Sequence, residues 1–330
     1  MKKNLKLSLL ALVAFMAFTT ISCSNDDDDD TPAAPQTITQ IAQGNANLSL
    51  LVQALTKAGL TETLNTAGTY TVFAPNNDAF NAAGYTSSAI AALTTPAEIA
   101  GLKNILLNHV IGTKFTASQL TTGYKKTLAV SAADAPNGKI DIYINTSSGV
   151  KLNGGANVIT PNVNASNGVV HVVDKVIALP TIVTFVGADP NFSSLLAALT
   201  RPDQLDEGFA TLLSGTTSSP FTVFAPTNAA FSSLLTELGP GTTLANIPEQ
   251  TLTNTLKYHV KAGANVLSSS LSNNLPVSTF LGQNFTIEIL PTTGAQIRDA
   301  SNRVSKIVAV DVQSNNGVVH VIDKVLLPTP

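Results

Sequence analysis

The chain contains the same ordered set of phrases twice. "TVFAPNNDAF" from Thr71 to Phe80 returns 151 residues later as "TVFAPTNAAF" from Thr222 to Phe231, identical at eight of ten positions. "NGVVHVVDKV" at Asn167 returns 149 residues later as "NGVVHVIDKV" at Asn316. A period of about 150 residues is far longer than the roughly 20 to 50 residues of a solenoid repeat and suits a whole domain. We therefore predict two copies of one domain.

Shorter matches extend the two copies in both directions. "LNHV" at Leu107 corresponds to "KYHV" at Lys257, and "NLSLLVQALT" at Asn47 corresponds to "NFSSLLAALT" at Asn191. The offset between the copies rises from 144 to 151, which predicts a net insertion of seven residues within or near 201–220 of the second copy. With 330 residues, of which 44% are hydrophobic, the chain is long enough for two cores. We place the domains at 37–179 and 180–330.

The repeated phrases also predict local structure. In "TVFAP" a β-branched and aromatic run ends at proline, and the polar residues that follow can cap a helix, so we predict a strand-to-helix corner. The Asn-Gly pair predicts a tight hairpin turn with positive φ at two positions, with "ANVITPNVNAS" and "VSKIVAVDVQSN" as the partner strands. Leucines spaced three and four apart predict helices in both copies.

The N-terminus has the layout of a secretory signal. Lys2, Lys3 and Lys6 precede an apolar run from Leu7 to Phe18, which is shorter than the roughly 20 residues that span a bilayer. "TISC", ending at Cys23, resembles the lipobox of bacterial lipoproteins. The resemblance implies a signal peptide at 1–22 and lipidation of Cys23, the only cysteine, so the chain cannot form an internal disulfide. The alternative is an ordinary cysteine within a discarded signal.

An acidic segment follows the cysteine. Five consecutive aspartates, Asp26, Asp27, Asp28, Asp29 and Asp30, repel one another and cannot enter a core. With the Thr, Pro and Ala that follow, residues 23–36 are expected to be a lipidated, flexible tether. The tract resembles the export signal of surface lipoproteins of the Bacteroidetes, and a generic spacer is the alternative.

The phrases, their order and their spacing resemble the fasciclin domain family over residues 37 to 328. The "TVFAP" corner, the Tyr-His phrase at Tyr258 and the "NGVVHVIDKVLLP" phrase carry this resemblance. It implies an α+β fold of two tandem fasciclin-like domains, each a β-wedge or sandwich of about seven strands with helices packed on one side. It also implies roles in adhesion and extracellular binding, and no settled enzymatic activity.

The four histidines all lie in repeated phrases, which suggests either two copies of a site or two copies of a core. Strand alternation places His171 and His320 among apolar neighbours, and helical spacing puts His109 and His259 in apolar stripes. We therefore interpret all four as hydrogen-bonded core residues. Asp174 and its counterpart Asp323 are expected to end a strand and to pair with a neighbouring donor.

Several functional classes lack their characteristic residues. No stripe rich in Lys and Arg is present for nucleic acid, and neither the "GxSxG" nor the "HExxH" pattern occurs. The phosphate-binding patterns "GxxxxGK" and "GxGxxG" are also missing. We predict that the protein is not an enzyme, has no cofactor and binds no nucleic acid.

A partner at the cell exterior is therefore the leading expectation. The resemblance to the fasciclin family implies a role in partner contact for the Tyr-His phrase, which makes Tyr258 and His259, with Asn108 and His109 in the first copy, candidates for partner binding. If His259 faces the core, Tyr258 lies about 100° around the helix and is expected to be partly exposed. We predict a monomeric adhesion protein that contacts protein or matrix. A glycan-binding accessory protein and a passive envelope spacer are the alternatives.

The N-terminal segments also predict the cellular location of the protein. We expect lipid anchoring to the outer membrane with exposure at the cell surface, and the periplasmic face is the alternative.

Overall fold

The computed structural model describes residues 35–134, 138–205, 208–292 and 294–329. The predicted signal peptide, Cys23 and the aspartates from Asp26 to Asp30 lie outside these residues, so their roles stay predictions. Each repeat forms a seven-stranded sheet with helices, which confirms the predicted α+β class with two similar domains.

The first repeat contains five helices and seven strands in its described part. The helices are α1 Ile38–Gln43, α2 Ser49–Lys57, α3 Asn77–Ala82, α4 Ser87–Ala92 and α5 Pro96–Leu107. The strands are β1 Tyr70–Pro75, β2 Val110–Ile111, β3 Gly123–Val130, β4 Lys139–Asn145, β5 Lys151–Leu152, β6 Ala156–Ala165 and β7 Gly168–Val173. They run in the order β2-β1-β7-β6-β5-β4-β3 across the sheet, and only β1 and β7 are parallel.

The second repeat has the same strand order. Its strands are β8 Phe221–Pro226, β9 Val260–Ala262, β10 Leu275–Ser278, β11 Asn284–Leu290, β12 Gly294–Arg298, β13 Val304–Gln313 and β14 Gly317–Ile322. Its helices are α6 Ile182–Ala188, α7 Ser193–Leu199, α8 Pro202–Leu205, α9 Phe209–Ser214, α10 Asn228–Glu237 and α11 Glu249–Tyr258. The short helices α8 and α9 occupy the segment in which the insertion was predicted.

None of the helices in the described ranges is by itself long and apolar enough to cross a membrane. The helix α6 and the run Pro190–Leu199 meet that test of length and composition only as a pair, and the two are bent by 99° at their junction.

The strand-to-helix corners form as predicted. After β1, the side chain of Asn76 accepts a hydrogen bond from the Ala79 amide at 2.8 Å, and after β8 Thr227 accepts one from the Ala230 amide at 3.3 Å. These side chains satisfy amides that the first turn of a helix leaves free. The corner therefore turns the chain from a strand that is paired on both sides onto the helical side of the sheet.

The core of each domain has two parts, one on each face of its two parallel strands, which are β1 with β7 and β8 with β14. In the first domain, Val72 and Val170 face the helices with Leu55 and Leu106, whereas Phe73 and Val173 face the outer strands. Strands β1 and β7 are thus covered on both faces, as parallel strands usually are. The sheet curls so that its outer strands cover the face that the helices leave open.

The hairpin is present, but the predicted role of the Asn-Gly pair is wrong. The turn between β6 and β7 consists of Ser166 and Asn167, and neither Asn167 nor Gly168 has positive φ. The Asn167 side chain instead accepts a hydrogen bond from the Ile38 amide and donates to the carbonyls of Leu64 and Thr66. Asparagine at this position joins the hairpin to the helical layer, which a pattern of turn residues cannot reveal.

The two domains meet through a polar interface. Asp141 on β4 is buried and accepts hydrogen bonds from Lys126 Nζ at 2.6 Å and from the Gln313 amide at 2.7 Å. The hydroxyl of Ser131 donates to the Ser314 carbonyl at 2.6 Å. The outer strands of the first domain therefore hold the β13–β14 hairpin of the second.

A second set of contacts lies beside this interface. The hydroxyls of Tyr124 and Tyr143 donate to the carboxylate of Asp189 at 3.1 and 3.3 Å, and the Tyr124 ring packs edge-on against Phe185 at 5.3 Å. Tyr124 and Tyr143 belong to the first domain, whereas Phe185 and Asp189 belong to α6 and its C-terminal cap. Side chains of the first domain thus contact α6, which begins directly after the short connection Ala178–Thr181.

Candidate functional site

The predicted exposure of Tyr258 is wrong. The residue is fully buried at the end of α11, where its hydroxyl donates to the Asn284 carbonyl at 2.8 Å and accepts from the Ala300 amide at 2.9 Å. Its ring lies edge-on against Phe285 at 5.9 Å. Because β11 and β12 cover the side of α11 that helical geometry alone leaves open, Tyr258 cannot contact a partner in this structure.

The other three candidates for partner binding are buried as well. Asn108 occupies the position of Tyr258 in the first domain, and its amide donates to the carbonyls of Ile177 and Ala178. His109 and His259 follow in the same two phrases and are also buried. In this structure the residues of the Tyr-His phrase are buried and form internal connections.

His109 and His259 join the end of a helix to the segment after the last strand of their domain. In each, Nδ1 lies against the carbonyl four residues earlier, at 2.8 Å from Ile105 and 2.7 Å from Thr255. A carbonyl can only accept, so Nδ1 carries the proton, and Nε2 accepts from the amide of Ile177 or Leu326. Burial lowers the pKa of both imidazoles to about 4.

His171 and His320 hold a loop against a neighbouring strand. His171 Nε2 donates to the Phe115 carbonyl at 2.9 Å, and its Nδ1 accepts from the Asn162 amide on β6 at 3.2 Å. His320 Nε2 donates to the Val266 carbonyl at 2.8 Å, and burial lowers the pKa of both imidazoles. All four histidines are thus hydrogen-bonded core residues, as the strand and helix periodicity predicts.

Asp174 and Asp323 occupy equivalent positions directly after the last strand of each domain. Asp174 accepts from the backbone amide and the side chain of Asn157 at 2.7 and 2.8 Å, and Asp323 accepts from the Lys306 amide at 2.7 Å. The two carboxylates therefore tie the strand ends to β6 and β13. This is the donor pairing that the sequence predicts for them.

The strands that carry these contacts are both bulged twice, at equivalent places. On β6 the pairing with β7 shifts between Val158 and Thr160 and again between Thr160 and Val163. On β13 it shifts between Ile307 and Ala309 and again between Ala309 and Val312. An extra residue in one strand re-aims its neighbours, and bulges are common next to functional sites.

Each double bulge turns apolar side chains towards solvent. Ile159 on β6 is 50% exposed, and Val308 and Val310 on β13 are 57% and 44% exposed. Ile159 and Val308 are counterparts in the 149-residue offset. We call this pair of surfaces the bulge surfaces. Simple alternation along β13 would place Val308, Val310 and Val312 on one face. The two extra residues of the bulges break this alternation, so Val308 and Val310 are exposed whereas Val312 is buried.

The bulges are held by residues from three different segments. At the bulge of β6, Asn162 has φ of 62° and its side chain accepts from the Ala117 amide, while its own amide bonds His171. At the bulge of β13, Asp311 has φ of 60° and its carboxylate accepts from the Ser268 amide. His171, Asn162 and Asp311 thus help to set the position of the exposed apolar side chains.

Within the described residues, no group of three or more His, Cys, Asp or Glu side chains could hold a metal ion. Both nitrogens of His109, His171 and His259 have backbone partners, so these rings have no nitrogen available for a substrate. One accessible feature that the described parts of both domains share is the apolar bulge.

Comparison with known proteins agrees with the repeated architecture. The human protein periostin is 30% identical over 280 residues, covering 82% of this chain and 29% of periostin. Transforming growth factor-beta-induced protein ig-h3 of Sus scrofa is 29% identical over 269 residues, covering 79% of this chain and 35% of that protein. The chain thus spans about a third of the length of these two relatives.

Two further comparisons concern a bacterial protein and a solved structure. Protein sll1483 of Synechocystis is 40% identical over 146 residues, covering 44% of this chain and 74% of that protein. A FAS1 domain pair from the insect cell adhesion molecule fasciclin I aligns with 86% of this chain and 98% of its own, with a TM-score of 0.51 and 19% identity. The latter likeness supports the fold of the domain pair.

A family model described as "Fasciclin domain" matches residues 46–180 and again 190–328. The two matches cover both repeats and nearly all of the described residues. The chain therefore belongs to the fasciclin domain family and contains two tandem copies of its domain.

Proposed function

We propose that this protein is a non-enzymatic adhesion or binding protein of the cell exterior that contacts other proteins or matrix through its two domains. The observation that carries the proposal is the repetition of an exposed apolar bulge, at Ile159 in one domain and at Val308 and Val310 in the other. The aligned FAS1 domain pair comes from a cell adhesion molecule, which supports the same class of function.

Repetition distinguishes these residues from ordinary surface hydrophobics. Apolar side chains that are scattered singly over a surface are common and need no functional explanation. Here the same strand carries them in both copies, on backbone held by partly buried hydrogen bonds. A preorganised apolar surface loses little conformational entropy when a partner covers it.

The interface between the domains also supports binding, because it holds the two bulge surfaces on one body. Because Asp141 and Asp189 accept hydrogen bonds from both domains, the two bulge surfaces keep a fixed separation. Two binding surfaces on one body raise avidity whenever the partner presents matching sites. A repetitive partner, such as a matrix fibre or a layer of surface proteins, suits this arrangement.

The anchoring part of the proposal rests on the sequence. Cys23 in its lipobox-like phrase would supply the lipid, and Asp26 to Asp30 would direct the protein to the outer face of the outer membrane. Two or more acyl chains are needed for durable attachment. Protease added to intact cells checks the placement, because digestion of the chain is expected only if it is exposed on the surface.

The glycan-binding alternative has less support. Saccharide sites usually present aromatic faces, but the chain has no tryptophan. All five tyrosines lie in the described ranges, and none of them is exposed. Protein or matrix is therefore the partner class that we retain.

An array of extracellular proteins and glycans tests the proposal. We expect the full chain to bind protein spots, and we expect the double variant Ile159→Asp with Val308→Asp to lose at least tenfold in apparent affinity. A carboxylate at each bulge would have to be desolvated under the partner without a counter-charge. Both positions are at least half exposed, so the urea unfolding midpoint should stay close to that of the wild type.

The matched control is Leu290→Asp, at an exposed apolar position of β11 outside the bulge surfaces. This variant should bind as the wild type does. Unchanged binding by the double variant, or binding confined to glycan spots, would contradict the proposal.

A further inference from the structure

The second domain contains an open groove that shares no residue with the bulge surfaces. It lies between α10 and residues 250–255 of α11, and Val325 and Leu327 of the C-terminal segment also line it. Its volume is about 500 Å³. Sites for small molecules typically have volumes of about 300 to 1,000 Å³ and mostly apolar walls with a few polar groups.

The two walls of the groove differ in chemistry. Phe231 and Leu234 of α10 and Leu238, which caps its C-terminus, follow one another at spacings of three and four and form an apolar wall. Gln250 and Asn254 project from α11 and form a polar wall. Gln250 Nε2 donates to Asn254 Oδ1 at 2.8 Å, which orients both amides. Within the described residues, Gln250 Oε1 and Asn254 Nδ2 remain available for a further hydrogen bond.

The side chains that line the groove carry no charge. The nearby ions Arg303 and Glu237 are paired with each other at 2.8 Å. A charged group that entered the groove would lose hydration without gaining a counter-ion, which is costly. Electrostatic complementarity therefore favours an uncharged occupant.

Comparison with the first domain shows that the apolar wall is not a requirement of the fold. The 151-residue offset pairs Leu234 with Ala83 and Leu238 with Ser87. The helix α3 ends at Ala82, whereas its counterpart α10 continues to Glu237. Leu238 is also 53% exposed, so it contributes little to the core and much to the rim of the groove.

We propose that this groove binds an uncharged amphipathic small molecule, with an aliphatic chain against α10 and hydroxyl or ester groups against Gln250 and Asn254 of α11. The size of the groove, its neutral lining and the separation of its apolar and polar walls all fit this class of ligand. The site is present in the second domain and is independent of the adhesion function proposed above.

Titration calorimetry of the full chain with 1-decanoylglycerol, below its critical micelle concentration, tests the proposal. This probe has an uncharged ester, two hydroxyls and an aliphatic chain. We expect saturable binding with one site. We also expect decanoate, which has the same chain but a carboxylate, to bind at least tenfold more weakly.

The variant Leu238→Asp places a charge on the apolar wall and should weaken binding of the glycerol ester at least tenfold. Asn254→Leu removes one of the two amides of the polar wall and should also weaken binding. This variant serves as the test if Leu238→Asp proves to be less stable than the wild type. Val308→Asp lies outside the groove and should bind as the wild type does, which separates this test from that of adhesion. The proposal is overturned if the wild type shows no saturable binding, if decanoate binds equally well, or if both groove variants retain full affinity.

Discussion

The four buried histidines show how single residues act as cross-links in this fold. Each ring donates to one backbone carbonyl, and three of the four also accept from a backbone amide. The bonded segments are far apart in the chain, such as His259 and Leu326, which are 67 residues apart. An imidazole suits this task because its neutral form offers one donor and one acceptor on opposite sides. Protonation would convert the acceptor into a second donor that faces an amide.

This chemistry makes stability depend on pH. The pKa of His109 and His259 falls from 6.5 to about 4 in the folded protein because burial disfavours the charged ring. Above pH 6.5 the folded and unfolded states bind the same number of protons at these sites. Between pH 6.5 and 4 the unfolded state binds more protons, so the free energy of unfolding falls as the pH falls. The decrease is about 1.4 kcal/mol per pH unit for each of the two histidines.

Urea unfolding of the wild type and of His259→Gln at a series of pH values measures this effect. The variant loses one titrating ring, so its stability should decline less steeply between about pH 6.5 and 4. It should also be less stable at neutral pH by about 1 to 3 kcal/mol, because a buried polar group loses its partner. Parallel declines for the two proteins would show that His259 does not titrate as its burial implies.

At the scale of elements, the Asn-Gly pair of the repeated hairpin has two structural roles, one for each residue. Asn316 connects the β13–β14 hairpin to the helical layer through bonds with Ile182, Leu213 and Gly215, as Asn167 does in the first domain. The following glycine allows the neighbouring parallel strand to approach. A Cβ on Gly317 would lie 2.2 Å from the Phe221 carbonyl oxygen, and one on Gly168 would lie 2.2 Å from that of Tyr70.

We therefore expect Gly168→Ala and Gly317→Ala each to destabilise the protein by about 3 kcal/mol, because the clash is with backbone and the strand must move. Gly101→Ala is the control, since a Cβ there meets nothing within 4 Å and the residue lies inside α5. Alanine at this helical position should be neutral or stabilising by up to about 1 kcal/mol. Wild-type urea midpoints for both strand variants would refute the close-approach explanation.

At the scale of the whole molecule, the interface makes the two domains depend on each other. Tyr143 of the first domain is part of the same apolar cluster as Phe185 and Phe192 of the second. Burial raises the pKa of Asp141, and Lys126 only partly offsets this effect, so the carboxylate is in a costly environment when ionised. Its bond with the Gln313 amide is available only while the domains are together.

The fragments 37–179 and 180–330 test this dependence. Each has the length of an ordinary domain and is expected to fold. Each should nevertheless unfold at a lower urea concentration than the same domain in the full chain, because Tyr143 or Phe185 would be exposed to water. Equal midpoints in fragment and full chain would mean that the interface adds no stability.

Most of the fold can be predicted from the sequence because its signals are local and occur twice. The strand-to-helix corners, the hairpins and the buried faces of His171 and His320 depend on neighbours within a few residues, and repetition confirms their register. The insertion in the second copy is equally visible, because it changes the offset between matched phrases. Family resemblance then supplies the number of strands.

The location of the proposed binding surfaces was decided by tertiary structure alone. Tyr258 lies on the side of α11 that periodicity leaves open, yet β11 and β12 bury it from a distant part of the chain. Val308 and Val310 alternate like core residues, yet two bulges turn them outward. The sequence by itself determined the elements and their order, because these follow from local backbone and side-chain preferences. Exposure depends on which other segments cover a residue, and only the folded chain sets that.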